Sequence, residues 1–269
     1  MNDRLIVLLP AGISWSALMF MVAYRIYRRT GNASVVDAVW SFAMGGIGML
    51  YALLGAGDPV RRILLAMMAG GWGLRLGMHL THRIRSEPED ARYEALRAEW
   101  RGKGWDVHGR MARFYANQAV SVLLLSLPFL LTAQHAAPAS PMWLLSAGGL
   151  WLLAWVGETM ADGQLRRFRA DPANRGRVCD VGLWGWSRHP NYFCEWLVWV
   201  AFALLAFDAP WGWLGLLAPA GMAYLLLHVT GVPLTEARML ASRGDAYRAY
   251  QSRVSRFVPW PPKAGVPRP

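Results

Sequence analysis

The chain has 269 residues, 55% of them hydrophobic, a formal net charge of +11 and two cysteines. Apolar runs long enough to cross a bilayer recur along it, which excludes an ordinary soluble domain. Cys179 and Cys194 have no neighbouring second cysteine, which excludes a disulfide framework and a cysteine-based zinc site. The basic residues border the apolar runs rather than forming a soluble basic fold, which excludes nucleic acid as the partner.

Seven apolar segments predict an all-α polytopic membrane protein with about seven transmembrane helices. In chain order they are 5–24, 35–54, 63–80, 115–133, 143–160, 192–207 and 213–230. No internal repeat and no soluble domain is evident. We therefore expect one domain over residues 1–269, embedded in a lipid bilayer, with residues 231–269 as a cytosolic C-terminal helix and tail.

The distribution of positive charge predicts the topology. Of the 28 Lys and Arg residues, 24 lie in four segments that seven spans place on one side. These segments are 25–34, 81–114, 161–190 and 231–269. The opposite connections 134–142 and 208–212 hold none, and 55–62 holds Arg61 and Arg62. The positive-inside rule then puts the N-terminus outside and the C-terminus in the cytosol, as expected for a bacterial inner-membrane protein.

Polar side chains inside the second and third apolar segments are the first site candidates. Asp37 is the only carboxylate in the second segment. Near the cytosolic end it would reach water, whereas deeper burial would favour a protonated carboxyl that donates to a substrate. In the third segment Arg75, His79 and Arg83 share one helix face, with His82 adjacent. Two histidines without a nearby carboxylate or thiol are weak evidence for a metal, so we predict a polar helix face and no metal site.

The fifth apolar segment ends in a polar stripe that runs out of the membrane. Glu158, Asp162 and Arg166 are spaced four residues apart, and Arg169 follows Asp162 by seven. A plain ion-pair ladder has the same spacing. The loop 171–177 that follows is basic and turn-rich, and several arginines at one helix end suit bidentate binding of phosphates.

The stretch 182–196 places polar and aromatic residues at the start of the sixth apolar segment. They are Trp184, Arg188, His189, Asn191, Tyr192 and Glu195. Pro190 is typical of a first helical position, where donors suit an anion such as phosphate. An interfacial anchor explains the tryptophan and the arginine. It does not explain Asn191 and Glu195, which share a helix face into the span and favour a binding site.

The sequence Gly-Leu-Trp-Gly-Trp-Ser-Arg-His-Pro-Asn-Tyr at 182–192 is very similar to the signature shared by sterol reductases and the steroid 5-alpha-reductase family. An Asp-x-x-x-Arg-x-x-Arg pattern at 162–169 and a Tyr-x-x-Tyr pattern at 247–250 support the match. The chain resembles bacterial steroid 5-alpha-reductase-like membrane proteins over nearly its whole length. The resemblance implies a seven-span fold that binds NADPH in a cytosol-facing cavity. It also implies hydride transfer to a carbon–carbon double bond of a lipophilic substrate, such as a steroid, sterol or fatty-acyl compound.

The resemblance also implies which residues act. It assigns cofactor binding to Asp162, Arg166, Arg169, Trp184, Arg188, His189, Asn191, Tyr192, Glu195, Glu236, Tyr247 and Tyr250. Asp37 falls where steroid reductases have a glutamate that engages the substrate carbonyl. Leu80 stands where those enzymes carry a tyrosine, so a second donor must come from elsewhere. His79 is the nearest candidate along the helix and Tyr115 a more distant one, which makes Asp37, His79 and Tyr115 the predicted catalytic residues.

Two other functions remain open at the level of the sequence. Membrane isoprenylcysteine methyltransferases, which bind S-adenosylmethionine, share the Arg-His-Pro-x-Tyr and Tyr-x-x-Tyr patterns. They usually carry a doubled glutamate in the tail, where this chain has Thr235 and Glu236. A non-catalytic lipid-binding membrane protein is the third possibility, and it predicts no nucleotide binding.

Overall fold

The computed structural model describes residues 2–263, and within that range it contains helices and turns but no β-strand. The helices are α1 (Asn2–Thr30), α2 (Val35–Leu54), α3 (Pro59–Ser86), α4 (Ala91–Gly102), α5 (Val107–Leu125), α6 (Leu127–Gln134), α7 (Pro141–Ala170), α8 (Pro190–Ala206), α9 (Leu217–Tyr224) and α10 (Val232–Arg253). Short 3₁₀ turns occupy Pro172–Asn174, Gly182–Gly185 and Gly212–Leu216, and a π-helical turn occupies Leu225–Val229. The predicted all-α class is confirmed.

Within residues 2–263, six helical segments are long and apolar enough to cross a membrane. They are Leu5–Thr30, Val35–Leu54, Pro59–Ser86, Val107–Gln134, Pro141–Ala170 and Gly212–Arg253. The helix α8 is apolar but only 17 residues long. Each of the seven predicted apolar segments therefore has a helical counterpart, and the chain is a polytopic membrane protein.

Acidic caps and prolines set several helix boundaries. Asp58 accepts a hydrogen bond from the Arg61 backbone N–H at 3.0 Å, with Pro59 as the first residue of α3. Asp106 caps α5 in the same way. The predicted span 115–133 is interrupted at Ser126, because Pro128 has no N–H to continue the helical hydrogen bonds and instead lies in the first turn of α6.

By contacts the chain divides into two compact units, and the prediction of one domain over residues 1–269 stays a prediction. Unit 1 comprises Met1–Leu144 and Leu205–Gly215. In it α2 and α3 approach closely at two glycines: a Cβ on Gly73 would lie 2.6 Å from the Gly45 Cα. Small residues at such crossings allow two membrane helices to pack backbone against backbone.

Unit 2 comprises Leu145–Leu204 and Leu216–Pro269. In this unit residues 182–192, called the signature segment below, run beside the residues that follow α10. The Arg188 N–H donates to the Ser255 carbonyl at 2.8 Å, and the Trp260 N–H donates to the Trp186 carbonyl at 3.0 Å. These bonds fix the segment before α8 against the C-terminal tail.

Candidate functional sites

Unit 1 builds an acid network around Asp37, which lies in the first turn of α2. The Tyr93 hydroxyl donates to Asp37 Oδ1 at 2.6 Å, and Arg92 Nη2 donates to Asp37 Oδ2 at 3.0 Å. Both donors come from the first turn of α4. The network therefore gives Asp37 a phenol and a guanidinium as partners, and it adds Tyr93 to the predicted Asp37 as a group that can carry a proton.

Burial and charge keep the two donors protonated. Burial raises the pKa of Tyr93 well above its usual value, and the negative charge of Asp37 adds to the shift. Burial alone would lower the pKa of Arg92, but Asp37 and Asp90 outweigh it and raise the pKa. A phenol and a guanidinium therefore face Asp37 as donors at neutral pH.

A small cavity of about 10 Å³, enough for about one water, opens beside this network. It is lined by Ser34, Asp37, Leu80, Arg83, Ile84, Pro88 and Asp90. Leu80 thus borders the same space as Asp37. A phenol reaches Asp37 from α4 instead, through Tyr93.

The other two predicted catalytic residues have different surroundings. Tyr115 is buried, and its hydroxyl donates to the Ala33 carbonyl at 3.2 Å, just before α2. Its ring packs edge-on to Phe114, which packs edge-on to Tyr93. Through Phe114, Tyr115 belongs to the same aromatic group as Tyr93. His79 is half-buried in α3, one position before the cavity residue at 80.

Sequence reasoning missed Arg92 and Tyr93, because the charged stretch around them is typical of a solvated surface helix. One feature of the sequence could have identified this helix as partly buried. Tyr93 and Trp100 are seven residues apart, which puts two aromatic side chains on one face of an otherwise charged helix. Both are buried in the structure.

Unit 2 builds a second network around Glu236 of α10. Its Oε1 accepts from Arg188 Nε at 2.7 Å and lies 3.3 Å from His189 Nε2, and its Oε2 accepts from Gln251 Nε2 at 3.0 Å. Arg188 Nη1 also donates to the carbonyls of Gln251 and Val254, at 3.0 and 2.7 Å. The side chains of Arg188 and Glu236 are 9% and 14% exposed.

This network ties the signature segment to α10. The Arg188 guanidinium is engaged by one carboxylate and two carbonyls, so its contacts favour a positioning role over the direct cofactor contact predicted from the sequence. Burial lowers the pKa of His189, although the nearby Glu236 carboxylate acts against the shift. Burial therefore favours the neutral imidazole. The His189 ring stacks on the ring of Tyr192. The Tyr192 hydroxyl lies 3.2 Å from the Thr235 hydroxyl.

Three aromatic residues predicted to bind the cofactor form the core beneath this network. Tyr247 and Tyr250 are buried in one apolar cluster with Val178. The Tyr250 hydroxyl donates to the Trp184 carbonyl at 2.6 Å, and the Trp184 indole donates to the Ala161 carbonyl at 3.0 Å. Their contacts are those of packing residues that hold the signature segment on α7 and α10.

The remaining predicted residues line the ends of α7 and α8. Asn191 Nδ2 donates to Asp162 Oδ1 at 3.3 Å. Glu195 is buried and accepts from the Trp199 indole at 2.9 Å. Arg166 and Arg169 are exposed at the end of α7, where the basic loop 171–177 follows. Exposed guanidiniums are better able to bind the phosphate of a cofactor than the engaged Arg188 guanidinium is.

The sequence matches the family described as "Protein of unknown function (DUF1295)" over residues 23–254. The chain belongs to this family. An uncharacterized protein of Schizosaccharomyces pombe is 25% identical over 277 residues, which cover 92% of this chain and 78% of the yeast protein. The DUF1295 match runs from within α1 to the residue after α10, so it includes both the Asp37 and the Glu236 networks.

Proposed function

We propose that this DUF1295 protein is a membrane-embedded, NADPH-dependent reductase of a carbon–carbon double bond conjugated to a carbonyl in a lipophilic substrate. The observation that carries the proposal is the 2.6 Å contact between the Tyr93 phenol and Asp37 in the first turn of a span. Reduction of a conjugated double bond builds negative charge on the carbonyl oxygen, and a positioned donor stabilises that charge. Methyl transfer to a thiolate has no such requirement.

The chain's own residues then have separate tasks. Asp37 positions the Tyr93 phenol before the substrate binds. When the substrate is bound, the phenol turns its one O–H from Asp37 to the carbonyl oxygen of the substrate. Arg92 holds the Asp37 side chain in place through its 3.0 Å contact with Oδ2. The bound NADPH supplies the hydride. One hydride and one proton together saturate the double bond.

On the cofactor side, Arg166 and Arg169 bind phosphate, and a preference for NADPH over NADH follows from the extra 2′-phosphate. Asn191 contributes an amide donor. The Glu236 network holds the signature segment in place. We further propose a bacterial inner-membrane location with the basic connections in the cytosol, where NADPH is found.

Purified protein in detergent tests the proposal by thermal unfolding with NADPH, NADH or S-adenosylmethionine, followed by assays of NADPH oxidation with conjugated enone lipids. We expect NADPH to raise the unfolding temperature of the protein more than NADH or S-adenosylmethionine does. In the double variant Arg166→Ala/Arg169→Ala, the difference between NADPH and NADH should become smaller. The variant Arg248→Ala, which removes an exposed cation from α10, is the control. Stabilisation and methyl transfer with S-adenosylmethionine would establish the methyltransferase alternative. Binding of no nucleotide would favour the non-catalytic lipid-binding protein.

A further inference from the structure

Unit 1 contains an apolar cavity of about 700 Å³ beside α1, α2 and α3. Trp15, Met49, Ile63 and Ala66 form part of its wall, and Arg62 stands among them as a cation. Cavities of this size accommodate ligands of several hundred daltons. The wall residues of α2 begin at Gly46, nine positions beyond Asp37, or about 14 Å along the helix. The cavity is therefore distinct from the Asp37 network.

One wall of the cavity is held in a fixed shape. The Trp15 indole donates to the Ala43 carbonyl at 2.9 Å. Gly46 lies against the ring, since a Cβ there would come within 2.2 Å of Trp15 Cζ2. The indole thus has a hydrogen-bonded position that leaves the space beside it open.

The Arg62 guanidinium, which is the cation of this cavity, is also held in place by hydrogen bonds. Arg62 Nε donates to the Ala52 carbonyl at 2.6 Å, and its Nη2 donates to the Leu53 carbonyl at 3.0 Å, both at the end of α2. The neighbouring Arg61 differs, because two bonds of 2.6 Å pair it with the Asp208 carboxylate. Both Arg62 bonds end on the last carbonyls of α2 rather than on a carboxylate, so the guanidinium keeps its charge for an anionic partner.

We propose that this cavity binds an anionic glycerophospholipid, with an acyl chain against the apolar wall and the phosphate on Arg62. The three helices are membrane spans, so the wall meets acyl chains. Arg62 lies near the start of α3, at the depth where a span ends and lipid headgroups lie. A fixed guanidinium binds phosphate through charge-assisted hydrogen bonds, which a zwitterionic headgroup satisfies less well because its own cation competes.

Native mass spectrometry of the full chain in detergent tests this proposal with phosphatidylglycerol, phosphatidylcholine and inorganic phosphate. We expect one phosphatidylglycerol to be retained in preference to phosphatidylcholine, and no competition by inorganic phosphate. Arg62→Gln should weaken retention about tenfold, as for the loss of one charge-assisted contact. Ala66→Phe, which adds a large side chain to the cavity wall, should weaken retention of both lipids.

Arg248→Gln removes one exposed positive charge elsewhere and should leave retention unchanged. Equal retention of the two lipids, or unchanged retention in both Arg62→Gln and Ala66→Phe, would overturn the proposal and indicate ordinary annular lipid. Competition by inorganic phosphate would assign the site to a free anion instead. A thermal unfolding curve for each variant separates lost binding from lost fold.

Discussion

Tyr93 can be separated from the rest of the Asp37 network by removing one oxygen atom. Tyr93→Phe deletes the donor to Asp37 and keeps the ring that packs on Phe114. We expect NADPH binding to persist while the rate of enone reduction falls about 10²-fold or more, the usual effect of losing a proton donor. Asp37→Asn should have the same pattern. Steady-state rates and cofactor titrations of each variant measure the two effects separately.

Tyr24→Phe is the matched control, because it also removes one phenolic hydroxyl, here one that donates to the His108 backbone carbonyl at 3.2 Å. It should leave the rate unchanged. Full turnover by Tyr93→Phe would remove the phenol from the reaction. Loss of NADPH binding in Asp37→Asn would instead assign Asp37 to the fold or to the nucleotide site.

Glu236 and Asp245 both lie on α10 and both pair with an arginine, but in different environments. The Arg188 side chain paired with Glu236 is 9% exposed, whereas the Asp245 side chain paired with Arg248 is 94% exposed. Glu236→Gln leaves a buried guanidinium without its counter-charge, so we expect about 3 kcal/mol of lost stability. Asp245→Asn should cost well under 1 kcal/mol. Chemical unfolding in detergent compares the two, and equal losses would contradict a positioning role for the buried network.

At the scale of elements, α10 is bent rather than straight. Gly244 has φ 51° and ψ −121° inside the helix, a conformation that side-chain-bearing residues rarely adopt. The bend precedes Tyr247 and Tyr250, which enter the apolar cluster of unit 2. A Cβ on Gly244 would meet nothing within 4 Å, so a substitution there tests the backbone conformation alone.

We therefore expect Gly244→Ala to destabilise the protein by about 1–3 kcal/mol through backbone strain. Gly102→Ala is the comparison, since Gly102 lies in α4, has no positive φ, and also has open space around it. It should be neutral or slightly stabilising, because alanine favours the helix. Thermal midpoints of both variants decide the matter, and a neutral Gly244→Ala would mean that α10 runs straight in solution.

The apolar elements follow from the sequence, because length and hydropathy alone determine a span. The predicted segment 35–54 coincides with α2. The candidate sites follow less well, because their partners are distant in the chain. Tyr93 lies 56 residues from Asp37 and Glu236 lies 48 from Arg188. Spacing along one helix indicates a shared face, but it does not indicate which other helix meets that face.

At the scale of the whole molecule, the short α8 determines how many times the chain crosses the membrane. Arg61 at the start of α3 is paired with Asp208 just after α8, with N–O distances of 2.6 Å. The connection after α8 therefore lies at the same end as the connection before α3. With 17 residues α8 is about 25 Å long, close to the thickness of the hydrocarbon core. A crossing by α8 keeps the basic segments 161–190 and 231–269 on one side.

This arrangement predicts opposite accessibility for two exposed positions, Ala137 before α7 and Ser252 near the end of α10. Single cysteines at these positions, in a chain whose Cys179 and Cys194 are replaced by alanine, would be probed on intact cells with a membrane-impermeant maleimide. Because three crossings separate them, we expect Ala137→Cys to react from outside and Ser252→Cys to react only after the membrane is opened. Reaction of both from outside would mean that α8 does not cross, and the reverse pattern would place the basic segments outside, against the charge rule.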